Sequence, residues 1–188
     1  NISDLIKINP TKVDNDKIKI SFYGAGNYAT ATLIPLMKDS GKVSFNGLVT
    51  STGMSAQSVA KKFDFNYCAS SYKEILNDKN DVIAITTRHD THSKAICDAL
   101  AANKNVYVEK PLALSISELE DINKAYTDNA KSQIMVGFNR RFAPSTNEII
   151  QHFESVKSPL VINIRVNAGF IPADHWTQDA QEGGGRMI

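Results

Sequence analysis

An apolar run that breaks directly into glycines constrains this chain more than any other feature. Lys17–Ala29 reads KIKISFYGAGNYA. Ile18, Ile20 and Phe22 are bulky and apolar, as a strand buried inside a sheet requires. Gly24 and Gly26 follow at once, with Ala29 three residues further on. Glycine at 24 permits a tight strand-to-helix turn, and glycine at 26 lets backbone approach a pyrophosphate. A small residue at 29 lets the helix pack on the strand. The helix beginning near Asn27 turns unpaired N–H groups and its positive dipole end towards the phosphates. Gly24, Ala25, Gly26, Asn27, Tyr28 and Ala29 are therefore candidates for holding a dinucleotide. The hexamer alone also fits an ordinary βα turn; the strand before it and the helix after it favour the dinucleotide reading.

The rest of the chain alternates strand and helix. The first helix is expected over Asn27–Lys38, kinked or shortened by Pro35. Strands follow at Val43–Thr50, Phe65–Cys68, Asp81–Thr87, Asn105–Val108 and Gln133–Phe138, with helices at Ser55–Phe63, Tyr72–Leu76, Thr91–Asn103 and Ser115–Asn129. Ser115 with Glu118 three residues later is a helix-capping signal. Such alternation predicts an α/β fold with a doubly wound parallel sheet. Residues 1–16 read as a linker, 17–138 as a dinucleotide-binding domain, and 139–188 as the beginning of a second α/β domain. That second part carries a helix at Ala143–Phe153 and a half-exposed strand at Leu160–Asn167, where Ile162, Ile164 and Val166 alternate with polar residues. An opening at Asn1 and a close on Gly183–Ile188 suggest a piece of a longer polypeptide.

The composition excludes several partners. A net charge of +1 argues for neither a nucleic-acid surface nor an acidic tail. No apolar run reaches the roughly 18 residues of a membrane span, and no signal peptide is evident. Cys68 and Cys97 read as reduced thiols, and no Cys/His spacing suggests a metal site. A soluble, cytoplasmic protein is expected.

Ligands of doubly wound sheets sit beyond the carboxyl ends of the strands. Gly24–Ala29, Thr50–Thr52, Thr86–His92, Glu109–Pro111 and Asn139–Arg141 all fall just after predicted strands. In Glu109-Lys110-Pro111 the proline ends the strand abruptly. A lysine beside a carboxylate and a bound cofactor can hydrogen-bond a reacting alcohol and relay its proton; the bland alternative is a surface Lys–Glu pair. The stretch Thr50, Ser51, Thr52 offers no carboxylate for the ribose 2′-hydroxyl of NAD. Its small hydroxyls would admit a 2′-phosphate, although no arginine stands beside them. Of NAD and NADP, the sequence leans slightly to NADP.

GAGNYA, Thr86 and Thr87 with His92, Glu109-Lys110-Pro111, and GFNRRF at Gly137–Phe142 resemble the Gfo/Idh/MocA oxidoreductases over nearly the whole chain from Ile18. These are Rossmann-fold, NAD(P)-dependent dehydrogenases of sugars, cyclitols and related polyols. RHDTH, GFNRRFAP and IPADHW with GGGR resemble more narrowly the two-part proteins in which such a domain follows a zinc-dehydrogenase-like half. The resemblance implies hydride transfer between nicotinamide and a secondary alcohol or ketone of a sugar, nucleotide-sugar or cyclitol. Lys110 would be the active-site lysine, with Glu109 and Pro111 in the same wall. Thr86, Thr87 and His92 would lie close to the cofactor, while Arg88 and His89 depart from the commoner Pro and Asn. Asn139, Arg141, Asp174, His175 and Trp176 would face a small, sugar-like substrate. A histidine that completes the acid–base apparatus in the family would lie beyond Ile188. The chain is thus expected to bind dinucleotide better than it turns over substrate, and to form homo-oligomers through the C-terminal domain of the full polypeptide. Two rivals stay open: a non-catalytic NAD(P)-binding sensor or partner module, and a dehydrogenase of amino or imino acids in which Arg141 grips a carboxylate.

Overall fold

The strand that precedes the glycines lies at the centre of a seven-stranded sheet in the computed structural model, which describes residues 5–9, 16–167 and 169–185. The strands are β1 (Leu5–Lys7), β2 (Ile18–Tyr23), β3 (Val43–Val49), β4 (Tyr67–Ala69), β5 (Val82–Ile85), β6 (Asn105–Val108) and β7 (Ile134–Val136). Their spatial order is β1-β4-β3-β2-β5-β6-β7. All neighbours pair in parallel except β1, which lies antiparallel on β4. The chain winds outward from β2 through β3 to β4, then returns to the other side of β2 for β5, β6 and β7. This is the doubly wound order, and its reversal between β2 and β5 opens a crevice at the carboxyl ends of those strands.

Helices cover both faces, α2 (Gly53–Lys62) and α3 (Tyr72–Asn77) among them, which is why the central strands are apolar throughout. On one face α4 (His92–Ala101) and α5 (Ile116–Asp128) set Ile96, Leu100 and Ile122 against Ile83, Ile85, Val106 and Val108. On the other, Ile34, Ala56, Ala60 and Phe65 close over Ile20, Phe22 and Leu48. Phe22 is fully buried and meets Phe45 and Phe65 edge-on at 6.0 and 5.8 Å. Each such side chain contributes about 2–3 kcal/mol by leaving water. Ser115 accepts the Glu118 N–H at 3.2 Å and Glu118 in turn accepts the Leu114 N–H at 2.6 Å, a reciprocal cap on α5.

The first helix runs on past Pro35. Ala29–Leu33 widen into a π turn, in which the Ile34 N–H reaches back to the Ala29 carbonyl, and α1 (Ile34–Asp39) continues from it with Pro35 in its opening turn. Proline has no N–H to return to the preceding turn, and the widened turn lies just there.

Two expectations are corrected. Within the stretch read as a linker, Leu5–Lys7 form the edge strand β1, pairing Leu5 with Ala69, Ile6 with Cys68 and Lys7 with Tyr67; this covers an otherwise open edge of β4. Residues 1–4 and 10–15 lie outside the described residues, as do 186–188. Leu160–Asn167 form no strand, and their side chains are exposed. The alternation is present, but a strand exists only by exchanging hydrogen bonds with a neighbour, and the described residues after 138 supply none. Helix α6 (Pro144–Phe153) forms where expected and buries no side chain.

Candidate functional site

A cavity of about 1100 Å³ opens at the carboxyl ends of the strands. Its first wall is the glycine turn. Gly24 has φ +100°, and a Cβ on it would lie 2.6 Å from the carbonyl carbon and oxygen of Thr86. The Gly24 N–H donates to the Val49 carbonyl at 2.8 Å, and the Thr86 hydroxyl donates to the Gly24 carbonyl at 2.9 Å. Gly24 therefore clamps β2 between the ends of β3 and β5. Gly26 differs: a Cβ there would meet nothing within 4 Å. Open space in front of backbone, on the cavity wall, is what a closely approaching phosphate needs. Ala29 is 2% exposed and packs in the core behind the turn.

At the end of β3, Thr50, Ser51 and Ser55 line the cavity. The Thr50 and Ser55 hydroxyls lie 2.9 Å apart, and Thr52, which does not itself line the cavity, holds Ser55 at 2.6 Å. No carboxylate lines this end, consistent with either ribose hydroxyls or a phosphate there. Ser55 escaped the sequence reading, as did Ser70 and Tyr72, which follow β4 where it runs to Ala69, one residue beyond the expected strand. The Tyr72 ring stacks on Tyr23 with centroids 4.3 Å apart, and its hydroxyl donates to the Ala95 carbonyl. Burial pushes that hydroxyl's pKa above the usual phenol range, so it stays a donor.

Glu109 and Lys110 reach the cavity from the end of β6. The Tyr107 hydroxyl donates to Glu109 Oε1 at 2.6 Å, and burial, then the Glu109 carboxylate, raise its pKa. Gly137 makes room, since a Cβ there would sit 2.7 Å from that hydroxyl and 2.8 Å from Glu109 Oε1. Lys110 is exposed and, among the described residues, forms no ion pair, so Glu109-Lys110 is not a surface salt bridge.

Six of the sequence candidates stand away from the cavity lining: Thr52, His92, Pro111, Arg141, Asp174 and His175. His92 is fully buried, with Nδ1 2.7 Å from the Pro111 carbonyl and Nε2 3.3 Å from that of Thr87. It ties the Glu109–Pro111 turn to the start of α4 and acts from behind the wall. Arg141 lies over its neighbour Phe142, 5.3 Å from the ring centre. His175 Nδ1 accepts the Thr177 N–H and caps the short turn Trp176–Gln178, while Asp174 is exposed. Asn139 and Trp176 do reach the cavity, and the Asn139 amide donates to the Tyr28 hydroxyl at 2.7 Å across its mouth.

Arg88 and His89 join the cavity to the C-terminal segment. The Arg88 guanidinium pairs with Glu182 and lies over Trp176; His89 Nδ1 donates to the Gly183 carbonyl at 2.9 Å, and the His89 ring meets Trp176 edge-on at 4.8 Å. Among the described residues there is no group of three His, Cys, Asp or Glu side chains able to hold a metal, and no helix long and apolar enough to cross a membrane.

Known proteins resemble this chain in sequence and in fold. Inositol 2-dehydrogenase of Salmonella typhimurium (strain LT2) is 31% identical over 105 residues, covering 54% of this chain and 31% of that protein. The match thus spans about a third of the length of such relatives. Among solved structures, apo scyllo-inositol dehydrogenase from Lactobacillus casei superposes with a TM-score of 0.67 at 21% identity, over 74% of this chain and 42% of that one. The WlbA dehydrogenase from Chromobacterium violaceum, solved with NADH and UDP-GlcNAcA, gives a TM-score of 0.67 at 19% identity, over 78% of this chain and 42% of that one. Both likenesses establish the fold. Residues 18–138 match the family described as "Oxidoreductase family, NAD-binding Rossmann fold". That stretch is well over half of the 188 residues, and the chain belongs to the Gfo/Idh/MocA oxidoreductase family.

Proposed function

We propose that this chain is the cofactor-binding part of an NAD(P)-dependent oxidoreductase acting on a secondary alcohol or ketone of a sugar, nucleotide-sugar or cyclitol. The nicotinamide, when bound, supplies the hydride chemistry. The observation that carries the reading is Lys110, a cation at the cavity whose neighbouring carboxylate is already taken by Tyr107. Lys110 is then available to hydrogen-bond the substrate oxygen and carry its proton. The glycine turn would hold the pyrophosphate, since Gly24 fixes its shape and Gly26 leaves it open. The hydroxyls of Thr50, Ser51 and Ser55 would surround the ribose and favour NADP slightly over NAD, because no carboxylate stands there to repel a 2′-phosphate. Asn139 and Trp176 would meet the substrate. Arg141, lying on Phe142 outside the cavity lining, does not support the carboxylate grip that an amino- or imino-acid substrate needs. Calorimetric titration of the chain with NADH and with NADPH tests the reading: micromolar binding of either supports it, and binding of neither by folded protein overturns it.

A further inference from the structure

Tyr28 and Asn139 meet across the cavity from different parts of the sheet. Tyr28 belongs to the turn after β2 and Asn139 follows β7, with β5 and β6 lying between those two strands. Their hydrogen bond, from Asn139 Nδ2 to the Tyr28 hydroxyl oxygen at 2.7 Å, reaches over the side of the cavity that carries Thr86, Thr87, Glu109 and Lys110. The bond leaves polar atoms over. Among the described residues the Tyr28 O–H has no acceptor and Asn139 Oδ1 has no donor, although both side chains line the cavity. An O–H whose oxygen already accepts an N–H is polarised into a stronger donor. The pair thus presents a donor and an acceptor side by side, held together by their own contact. That is the complement of a primary carboxamide, whose carbonyl accepts and whose NH2 donates.

We propose that Tyr28 and Asn139 together hold the carboxamide of the nicotinamide ring, Tyr28 donating to its carbonyl and Asn139 Oδ1 accepting from its NH2. This rests on the reading of the cavity as a dinucleotide site and names what grips the reacting half of the cofactor. A pyrophosphate at Gly26 divides the ligand in two. One half runs to the hydroxyls of Thr50, Ser51 and Ser55 after β3; the other runs the opposite way, past the ends of β5 and β6, and meets the pair. A nicotinamide held by its carboxamide cannot turn over about its bond to the ribose, so the pair selects which face of the ring meets the substrate. The second N–H of Asn139 stays available to that substrate.

Tyr28 is exposed, so its replacement leaves the fold intact. Calorimetry with NAD, with its 3-acetylpyridine analogue and with ADP-ribose separates the contacts, the 2′-phosphorylated forms serving if the chain prefers NADP. The analogue keeps the carbonyl but carries methyl in place of NH2, and ADP-ribose lacks the ring altogether. The unmodified chain should bind NAD about fivefold more tightly than the analogue, the effect of one hydrogen bond. Tyr28→Phe should weaken NAD by about fivefold for the same reason and leave ADP-ribose affinity unchanged. Asn139→Ala should bind NAD and the analogue alike. Equal affinity of the unmodified chain for NAD and the analogue, or an Asn139→Ala chain that still prefers NAD, overturns the contact to NH2. A Tyr28→Phe chain that binds NAD with full affinity, or that loses NAD and ADP-ribose equally, overturns the contact to the carbonyl while leaving the cleft as a dinucleotide site. Failure of the folded, unmodified chain to bind any of these probes overturns the site itself.

Discussion

The Tyr107 hydroxyl and Glu109 Oε1 are 2.6 Å apart, two residues along the same strand end, and Lys110, next in the chain, forms no ion pair among the described residues. Replacing Tyr107 by Phe would release Glu109 to pair with Lys110. In the complete polypeptide, kcat/KM should fall by about tenfold, with stability lower by about 1–2 kcal/mol for the lost hydrogen bond. Steady-state kinetics and urea unfolding check the two effects separately, and unchanged kinetics would mean that Glu109 does not compete for Lys110.

The two glycines of the turn make opposite predictions. Gly24→Ala combines a positive φ with overlap on the Thr86 backbone, and should destabilise the fold by on the order of 3 kcal/mol. Gly26→Val meets no protein atom at its Cβ and should change stability by only about 0.5 kcal/mol, yet abolish dinucleotide binding. Thermal unfolding alongside NADH and NADPH titration reads both; a Gly26→Val chain that still binds with full affinity removes the phosphate from this turn.

Lys110→Ala in the complete polypeptide should lower kcat by on the order of a hundredfold through loss of acid–base assistance. Cofactor affinity should move by no more than a few fold. A decrease in kcat of only a few fold would make Lys110 a bystander.

Ser55 is the place to test the ribose end. A carboxylate in its position would repel a 2′-phosphate while suiting both ribose hydroxyls and the N-terminal turn of α2 (Gly53–Lys62). Ser55→Asp should therefore shift the ratio of NADPH to NADH affinity towards NADH by tenfold or more, as measured by paired titrations. An unchanged ratio would put the 2′ position elsewhere.

The doubly wound parallel sheet and most of the cavity were legible because they follow from local constraints. Ile83 and Ile85 read as a strand buried on both faces, and Gly24 and Gly26 mark the one turn where backbone must do what side chains cannot. What stayed hidden depends on distant partners. The edge strand Leu5–Lys7 is too short to show a period and exists only because β4 receives it. His92 has the right residue type in the right place, but no pattern tells whether a ring faces ligand or the carbonyls of Thr87 and Pro111. The contacts of Arg88 and His89 with Glu182 and Gly183 join residues 94 positions apart. Leu160–Asn167 fails the other way: its alternation is local and real, and the partner that would make it a strand is not among the described residues.

The π turn at Ala29–Leu33 amounts to a one-residue insertion whose phase error is absorbed within a single turn. Ala29 and Ile34 are five residues apart, a spacing that would put them on different sides of an ordinary helix, yet they are 2% and 0% exposed. The widened turn acts as a phase adjuster. The first residues of the helix keep the azimuth set by the glycine turn, the remainder keeps the azimuth set by the core, and neither half has to compromise its angle for the other.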